Sequence, residues 1–385
     1  MQRLLIAFYA IWTCFCNKLS PKSSSNKVLI IFQQIIGDSV LFLNPLVAYT
    51  SFYSKQGKDL TILCRPIIKK FWDSTADLPK DLNIEVIDFT RLFNDFRYFK
   101  EIVKQYRHYA DTIIAPGSTL SSDLLSTVLC ARHKIGMIGH KKTNWPFHIA
   151  LFQKLAFTEI VMPEKEMMMI QRHRLLLNYL GCKDYQGKIS KLKVFPSIVS
   201  GDYCVICPGS SLQVKCWPVE RYAEICDWLI GTYGIDVYLC GGKEEKKVAV
   251  QMMSLIKFRS KVINRVGDTT FEEWISLIQH SLIVLGNDSG SLHIAAASNK
   301  KSVCVAGVYD KYQFFPYKVD ALDDGQVLPS TLYVDMNCEY CKSRGYFHGY
   351  GNKECQHEIA KGNCALCVSA ISVNSVKKVI KNMLS

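Results

Sequence analysis

The chain has 385 residues, which is long for one hydrophobic core and sufficient for two domains of ordinary size. Its hydrophobic fraction of 49% and charged fraction of 21% exclude intrinsically disordered, collagen-like and low-complexity proteins. Lys and Arg outnumber Asp and Glu by 47 to 34, which gives a formal net charge of +13. This excess predicts an acidic partner and leaves open nucleic acid, an anionic membrane or a phosphorylated substrate.

The chain opens with an apolar run over residues 4–16, flanked by Arg3 and Lys18. The run is shorter than the about 20 residues that span a bilayer. It has the size of a signal-peptide core, but the residues after it lack a small-x-small cleavage site. The other two interpretations are an anchor that lies in a membrane interface and a helix packed on the protein body.

From residue 27 onward, short apolar runs alternate with helical patterns. This alternation predicts doubly wound parallel sheets, because continuous apolar runs fit strands that are buried on both faces. Strands are predicted at residues 28–32, 60–63, 84–87, 112–115, 203–207, 236–240 and 282–285. Helices are predicted at residues 39–52, 220–232, 271–280, 292–298 and 373–383, and from residue 244.

The succession of strand, glycine-containing turn and helix occurs in two halves. We predict an apolar segment with linker (residues 1–26), a first domain (27–187), a linker (188–200), a second domain with a Cys-rich tail (201–370) and a C-terminal helix (371–385). In such sheets, ligands bind at the carboxyl ends of the strands, where glycine-rich turns let backbone N–H groups approach an anion. Three turns have this chemistry, around Gly37, Gly209 and Gly290.

The turn at residues 208–218 follows the first strand of the second domain. Its glycine, hydroxyl and ammonium groups suit a diphosphate. They belong to Gly209, Ser210, Ser211 and Lys215. The chain contains no G-x-x-x-x-G-K-[ST] phosphate loop, so the alternative is a plain connection whose Trp217 packs in the core.

The other two turns also carry polar residues that have a structural explanation. Asp288 and Ser289 are residues of the type that caps a helix, although a cap leaves Asn287, Gly290 and His293 unexplained. A lone His is more often a satisfied core or surface residue. Asp38 begins a helix after the first strand, where a carboxylate is either a cap or a general base.

These turns, in this order, resemble glycosyltransferase family 9, the heptosyltransferase family of bacterial lipopolysaccharide synthesis. The similarity extends over most of the chain, from about residue 27 to residue 381. The motifs that carry it are Ile36-Gly37-Asp38-Ser39, Pro208-Gly209-Ser210 with Lys215 and Trp217-Pro218, Arg221-Tyr222, Gly241-Gly242, and Gly286-Asn287-Asp288-Ser289-Gly290 with His293. The resemblance implies an α/β GT-B fold, in which two Rossmann-like domains with parallel sheets face each other across a cleft.

The resemblance also implies roles for individual residues. Asp38 would be the general base that deprotonates the acceptor hydroxyl, and Lys215 would stabilise the departing nucleoside diphosphate. The residues implied to bind the donor are Gly209, Ser210, Ser211, Lys215, Glu244 or Glu245, Asp288, Ser289, Gly290 and His293. No metal is required for catalysis, because a Lys and helix N-termini can stabilise the leaving group.

The implied activity is inverting transfer of a sugar, by family default a heptose from ADP-heptose, to lipopolysaccharide core or a related surface glycan. Phe32 and Gln34 stand where many members have Arg and Gly, a variation typical of members from surface-polysaccharide gene clusters. The alternative is a non-catalytic sugar-nucleotide- or glycan-binding protein that kept the fold. An NAD-dependent oxidoreductase is disfavoured, since neither half has G-x-G-x-x-G after its first strand.

The implied partners are a nucleotide sugar, an acidic glycolipid acceptor and the anionic inner-membrane surface. Basic clusters at residues 132–134, 140–142 and 172–174 would face that surface, together with the apolar run at 4–16, although such clusters are more often a solvated face. No nucleic-acid-binding signature accompanies the charge. We therefore expect a cytoplasmic protein that is peripheral on the inner face of the membrane.

Fifteen of the sixteen cysteines fall into two groups. Ten are scattered in or beside apolar runs, which is typical of small buried hydrophobic residues in a reducing compartment. These ten are Cys14, Cys64, Cys130, Cys182, Cys204, Cys207, Cys216, Cys226, Cys240 and Cys304. The tail carries Cys338, Cys341, Cys355, Cys364 and Cys367, whose two C-x-x-C pairs suit a structural zinc or iron site, with free or adventitiously paired thiols as the alternative.

Overall fold

The computed structural model describes residues 1–20, 25–138, 147–164, 167–308, 313–336 and 364–385, with the side chains of 147–150 left aside. The chain divides into two compact units. The first comprises Met1–Lys165 and Ile170–Gly187, and the second comprises Glu166–Met169 and Lys188–Ser385. Each unit is built on its own parallel sheet.

The sheet of the first unit has six strands, which are β1 (Lys27–Phe32), β2 (Asp59–Cys64), β3 (Leu82–Val86), β4 (Thr112–Ala115), β5 (His133–Met137) and β6 (Glu159–Val161). They lie in the order β3-β2-β1-β4-β5-β6, and every pairing is parallel. Its helices are α1 (Gln2–Leu19), α2 (Ile36–Ser54), α3 (Pro66–Thr75), α4 (Phe89–Asn94), α5 (Phe96–Tyr106), α6 (Leu120–Val128), α7 (Phe147–Ala156) and α8 (Met169–Tyr179). The central strand β1 is buried on both faces from Val28 to Phe32, as its unbroken apolar sequence predicts.

The apolar N-terminal run forms helix α1, which packs on the body of the first unit. Ile6 and Ala10 are buried in the same core cluster as residues of α4, α5 and α6. Further along, the Asn17 side chain donates to the Val128 carbonyl over 2.8 Å and accepts from the Arg107 guanidinium over 2.9 Å. Among the described helices, none is long and apolar enough to cross a membrane.

The sheet of the second unit also has six strands, which are β7 (Tyr203–Cys207), β8 (Asp236–Leu239), β9 (Val262–Asn264), β10 (Val284–Asn287), β11 (Ser302–Val305) and β12 (Ser330–Leu332). They lie in the order β12-β11-β10-β7-β8-β9 and are all parallel. Its longer helices are α9 (Val219–Tyr233), α10 (Lys246–Leu255), α11 (Phe271–His280), α12 (Gly290–Ala297) and a C-terminal helix (Val373–Leu384). Short helical turns are found at Gln213–Lys215, Lys243–Glu245, Arg259–Lys261 and Leu366–Ser369.

Both sheets follow one topology, since each starts at a central strand, adds two strands on one side and then three on the other. The doubly wound α/β architecture predicted from the alternating pattern is therefore confirmed. Several boundaries differ from the prediction by one to three residues, and two of these differences concern residues of the predicted site. The strand expected at 282–285 runs from Val284 to Asn287, because Gly286 and Asn287 pair with β11. Helix α2 begins at Ile36 rather than residue 39, so Asp38 lies in its first turn.

Candidate active site

The carboxyl ends of β7 and β10 are neighbours, because the two strands pair in register with Gly286 opposite Cys207. Two segments leave this edge of the second sheet. One is the loop at residues 208–215, and the other leads from Asp288 into helix α12. Parallel strands thus bring together two of the turns that the sequence singled out.

Asn287 joins these two segments. It is fully buried, and its amide nitrogen donates to the carbonyls of Pro208 and Gly209 over 2.7 and 3.2 Å. Its amide oxygen accepts from the Trp217 backbone N–H over 2.9 Å and from the Tyr222 hydroxyl over 2.8 Å. This side chain therefore fixes the start of the 208–215 loop and the residues just after it, a role that the sequence analysis did not assign.

Lys215 and Asp288 form a buried ion pair at this edge. The Lys215 ammonium lies 3.1 Å from a carboxylate oxygen of Asp288, and the two side chains are only 7% and 8% exposed. The ammonium also faces the ring of Phe314 at 5.7 Å. Breaking a buried pair leaves an uncompensated charge, so both residues are held firmly in place.

The hydroxyl residues of the loop differ in exposure. The Ser210 hydroxyl is 3.5 Å from the Asp288 carbonyl oxygen, to which it donates, whereas Ser211 is exposed to solvent. Gly209 is buried between them and the strand. The loop thus presents one hydroxyl toward the ion pair and a second toward solvent.

Of the two candidate acids, the structure places Glu245 at the site and leaves Glu244 exposed. A Cβ added to Gly209 would lie 2.2 Å from the Glu245 carboxyl carbon, and one added to Gly241 would lie 2.1 Å from a Glu245 oxygen. Both glycines are therefore needed for the close approach of this side chain. Burial raises the pKa of Glu245, while a hydrogen bond from the Gly242 N–H opposes the shift.

The N-terminus of helix α12 points to a ligand. Ser289 is its N-cap residue, but its side chain makes no capping hydrogen bond. Its buried hydroxyl finds no hydrogen-bond partner among the described residues. Asp288 is paired with Lys215 instead of capping the helix. The capping explanation thus fails for Ser289, and an unsatisfied hydroxyl remains beside the helix terminus, where Gly290 begins α12.

His293 is buried one turn into α12 and does not carry a positive charge at neutral pH. Its Nδ1 lies 2.7 Å from the Tyr317 hydroxyl, and its ring stacks on Phe315 with centroids 4.7 Å apart. Burial, and secondarily the nearby Lys215 charge, lowers the pKa of His293 to about 3. A neutral imidazole supports the packing behind the site and cannot pair electrostatically with a phosphate.

In the first unit, Asp38 lies half-buried in the first turn of α2, at the carboxyl end of β1. The N-cap position belongs to Ile35, so Asp38 is inside the helix and is not its cap. The preceding loop is tied to the loop after β4, since Thr119 donates to Gln33 and Gln34 donates to the Gly117 carbonyl over 3.4 Å. Gln34, one of the residues that depart from the family pattern, therefore braces this edge.

Asp123 was missed by the sequence analysis. It is buried, and its carboxylate accepts from the hydroxyls of Ser118 and Ser122 over 2.7 and 3.2 Å. Burial raises the pKa of Asp123 to about 7, against the opposing effect of the two hydroxyl donors. The signal for such a group was the run of hydroxyl residues at 118–122 directly after β4.

The predicted thiolate site falls largely outside the described residues, which do not include Cys338, Cys341 and Cys355. Cys364 and Cys367 are buried in the core of the second unit. Within the described part of the chain, no group of three or more His, Cys, Asp or Glu residues could hold a metal ion.

Two units, each with a six-stranded parallel sheet of the same doubly wound topology, are the architecture of the GT-B fold. The model of glycosyltransferase family 9 (heptosyltransferase) matches residues 99–323, more than half of the chain. The chain belongs to this family, and it is an enzyme of the glycosyltransferase class.

Individual relatives and solved structures are also similar to this chain. Lipooligosaccharide heptosyltransferase 2 of Haemophilus influenzae is 30% identical over 262 residues, which cover 63% of this chain and 72% of the relative. The crystal structure of a family 9 glycosyltransferase from Veillonella parvula superposes with a TM-score of 0.68 at 16% identity, covering 95% of this chain and 99% of that one. The dodecameric iron-containing heptosyltransferase TibC in complex with ADP-D-beta-D-heptose gives a TM-score of 0.54 at 12% identity, covering 94% and 77%.

Proposed function

We propose that this protein is an inverting glycosyltransferase that transfers a heptose from ADP-heptose to lipopolysaccharide core or a related surface glycan. The observation that carries the proposal is the buried Lys215–Asp288 pair beside the unpartnered Ser289 hydroxyl at the start of α12. The donor and acceptor are supported by the names of a relative and of a structural neighbour, a lipooligosaccharide heptosyltransferase and a complex with ADP-heptose.

The donor diphosphate would lie at the carboxyl ends of β7 and β10. The α12 N-terminus offers unpaired backbone N–H groups and a partial positive charge to an anion, and the Ser289 hydroxyl would complete its hydrogen bonding there. Lys215 would compensate the negative charge that grows on the β-phosphate as the bond to the sugar breaks. Asp288 holds the ammonium in place before the donor arrives.

Glu245 would recognise the nucleoside. Its carboxylate lies against the backbone of Gly209 and Gly241, at the ends of β7 and β8. An ionised carboxylate accepts hydrogen bonds from ribose hydroxyls, a pairing common at this position of doubly wound sheets. The exposed Glu244 has no comparable support.

Asp38 would act as the general base. Its carboxylate would take the proton from the acceptor hydroxyl while that oxygen attacks the anomeric carbon of the heptose. The bond from the anomeric carbon to the phosphate oxygen breaks on the opposite side, so the configuration inverts and ADP leaves with the bonding electrons. One proton passes to Asp38, and no covalent enzyme intermediate forms.

We propose that the enzyme works in the cytoplasm, at the inner face of the membrane that carries its acceptor. The net charge of +13 supports attraction to anionic headgroups and to an acidic glycolipid. The scatter of ten cysteines in or beside apolar runs is in keeping with a reducing compartment. No observation favours the alternative of a non-catalytic binding protein.

We also propose a structural metal, zinc or iron, bound by thiolates of the tail. The spacing of the two C-x-x-C pairs supports it, as does the iron in the TibC structure. Cys364 and Cys367 are already gathered in the second unit, where the Ala365 N–H between them donates to the Val214 carbonyl over 2.9 Å. Such a site would anchor the tail beside the loop that carries Lys215.

Replacement of the proposed base tests this function directly. Asp38→Asn should lower transfer from ADP-heptose to an acceptor by about 100-fold or more, since general-base catalysis contributes that much. ADP binding, measured by calorimetry, should be unchanged, because Asp38 lies in the other unit from the donor site. Asp59→Asn, an exposed acid of the same unit, is the matched control and should keep full activity. Full turnover by folded Asp38→Asn protein would overturn the assignment.

A further inference from the structure

Helix α1 buries one side and leaves a continuous apolar stripe on the other. The exposed members of this stripe, called here the α1 outer face, are Met1, Leu4, Leu5, Phe8, Ile11, Trp12, Phe15 and Leu19. Phe8, Trp12 and Leu19 are 73%, 67% and 79% exposed. Single exposed apolar residues need no explanation, but a row at helical spacing along about 27 Å of helix marks a surface for a partner.

The stability of the first unit does not depend on this face. Contacts with the body use the opposite side of the helix, through Ile6, Ala10, Cys14 and the two hydrogen bonds of Asn17. The aromatic pair Tyr9–Phe96, with ring centroids 5.6 Å apart, adds to that packing. The outer face is therefore available to a partner while α1 remains docked.

Positive charge is present near both ends of helix α1. Helix α1 itself carries Arg3 and Lys18 and contains no acidic residue. On the adjacent α5, the Lys100 ammonium lies 4.9 Å from the ring centroid of Phe96, the residue that touches Tyr9 of α1. The apolar stripe thus lies on a helix whose charged side chains are all cations, as in helices that lie in the plane of an anionic membrane interface.

We propose that the α1 outer face docks this enzyme on an anionic lipid bilayer, with α1 lying parallel to the surface. Trp12, Phe8 and Phe15 would enter the headgroup–acyl boundary, where aromatic rings are favoured. Arg3, Lys18 and Lys100 would pair with lipid phosphates. The inference deepens the proposed function, since it names the surface by which the enzyme reaches a membrane-held acceptor.

A second copy of the chain is a poorer fit to the same surface. In a symmetric dimer each patch meets itself, so the like charges of Arg3, Lys18 and Lys100 would be brought together around the apolar stripe. A bilayer that contains anionic lipid offers apolar and negatively charged groups together. The charge pattern therefore favours lipid over self-association.

Vesicle binding of the full chain tests the proposal without relying on activity. The protein should sediment with phosphatidylethanolamine vesicles that contain about one third phosphatidylglycerol, and less with neutral phosphatidylcholine or at high salt. The triple variant Phe8→Ser/Trp12→Ser/Phe15→Ser should lower the partition coefficient by at least about tenfold. The matched control Val194→Ser/Val250→Ser/Leu322→Ser replaces exposed apolar residues elsewhere and should bind normally.

The depth at which Trp12 lies in the bilayer is measured by quenching of tryptophan fluorescence with brominated lipids. The wild-type protein should be quenched, and Trp12→Phe should bind equally but lose much of the quenching. Equal binding by wild-type protein and the triple variant would overturn the proposal. The proposal would also be overturned if the protein did not bind vesicles and instead formed a dimer that the triple variant dissociates. Transfer to a lipid-free acceptor should be unaffected by the triple variant, so failure of docking and failure of the proposed function are separate results.

Discussion

At the scale of single residues, the buried carboxyl of Asp123 has a measurable effect on stability. Its pKa is raised to about 7 in the folded protein, whereas an unfolded Asp titrates near 4. Between about pH 4 and 7, the unfolded chain therefore binds fewer protons than the folded one, and stability falls as the pH rises. Above pH 7 the loss is complete.

Asp123→Asn should remove this loss, because an amide does not ionise and the hydroxyls of Ser118 and Ser122 can pair with it. We expect the variant to be more stable than wild type at pH 8 by about 1–3 kcal/mol, with the difference vanishing near pH 4. Thermal unfolding at several pH values measures it. Asp59→Asn should show no such dependence, and an equal response of both variants would contradict the assignment.

Motif-bearing residues could be predicted from the sequence, and residues that act through tertiary contacts could not. The pattern around Lys215 and Asp288 pointed to one strand edge, and the structure pairs the two at 3.1 Å. The four hydrogen bonds of Asn287 needed the three-dimensional meeting of β10, the 208–215 loop and α9. The neutral state of His293 depends on burial against Phe315 and Tyr317, which no spacing rule reveals.

At the scale of elements, local sequence patterns predicted most of the helices and strands whose positions follow from hydrophobic periodicity. The strand Thr112–Ala115 and the helix Phe271–His280 appear as predicted, because apolar runs and a Thr-x-x-Glu capping box mark them locally. The strand at 284–287 was misplaced by two residues, since its end is set by pairing with β11 rather than by its own sequence. Sheet order likewise comes from long-range pairing.

The Cys-rich tail provides a prediction about one element. If thiolates of Cys338, Cys341, Cys355, Cys364 and Cys367 hold a metal, the purified protein should contain about one zinc or iron per chain by elemental analysis. Cys338→Ser/Cys341→Ser should lose it, whereas Cys130→Ser, a buried thiol of the first unit, should retain it. Metal-free protein in which these thiols react freely with a thiol reagent would support the alternative of unliganded cysteines.

At the scale of the whole molecule, the chain divides into two compact units, and a ligand that binds one unit need not stabilise the other. Each unit has its own sheet and its own core cluster, so each can unfold as a cooperative body. The residues proposed to bind the donor, from Gly209 to His293, all lie in the second unit. A nucleotide should therefore stabilise that unit alone.

Scanning calorimetry with ADP should show that the nucleotide stabilises the second unit and not the first. Nucleotide at 100 times its Kd adds about 2.7 kcal/mol to the unit that binds it, which raises its transition by several degrees. The transition of the first unit should stay in place. UDP, GDP, CMP and NAD serve as controls, and a larger shift with UDP or GDP would contradict ADP-heptose as the donor.

The four hydrogen bonds of Asn287 also bear on the kinetics of donor capture. They hold the backbone of Pro208 and Gly209 against Trp217 before any nucleotide is present. The conformational entropy of ordering this part of the loop is thus lost during folding rather than at the moment of binding. The proposed donor pocket is preorganised on this side. Association with the nucleotide should therefore need little rearrangement there, and product release rather than loop ordering becomes the step to examine when turnover is slow.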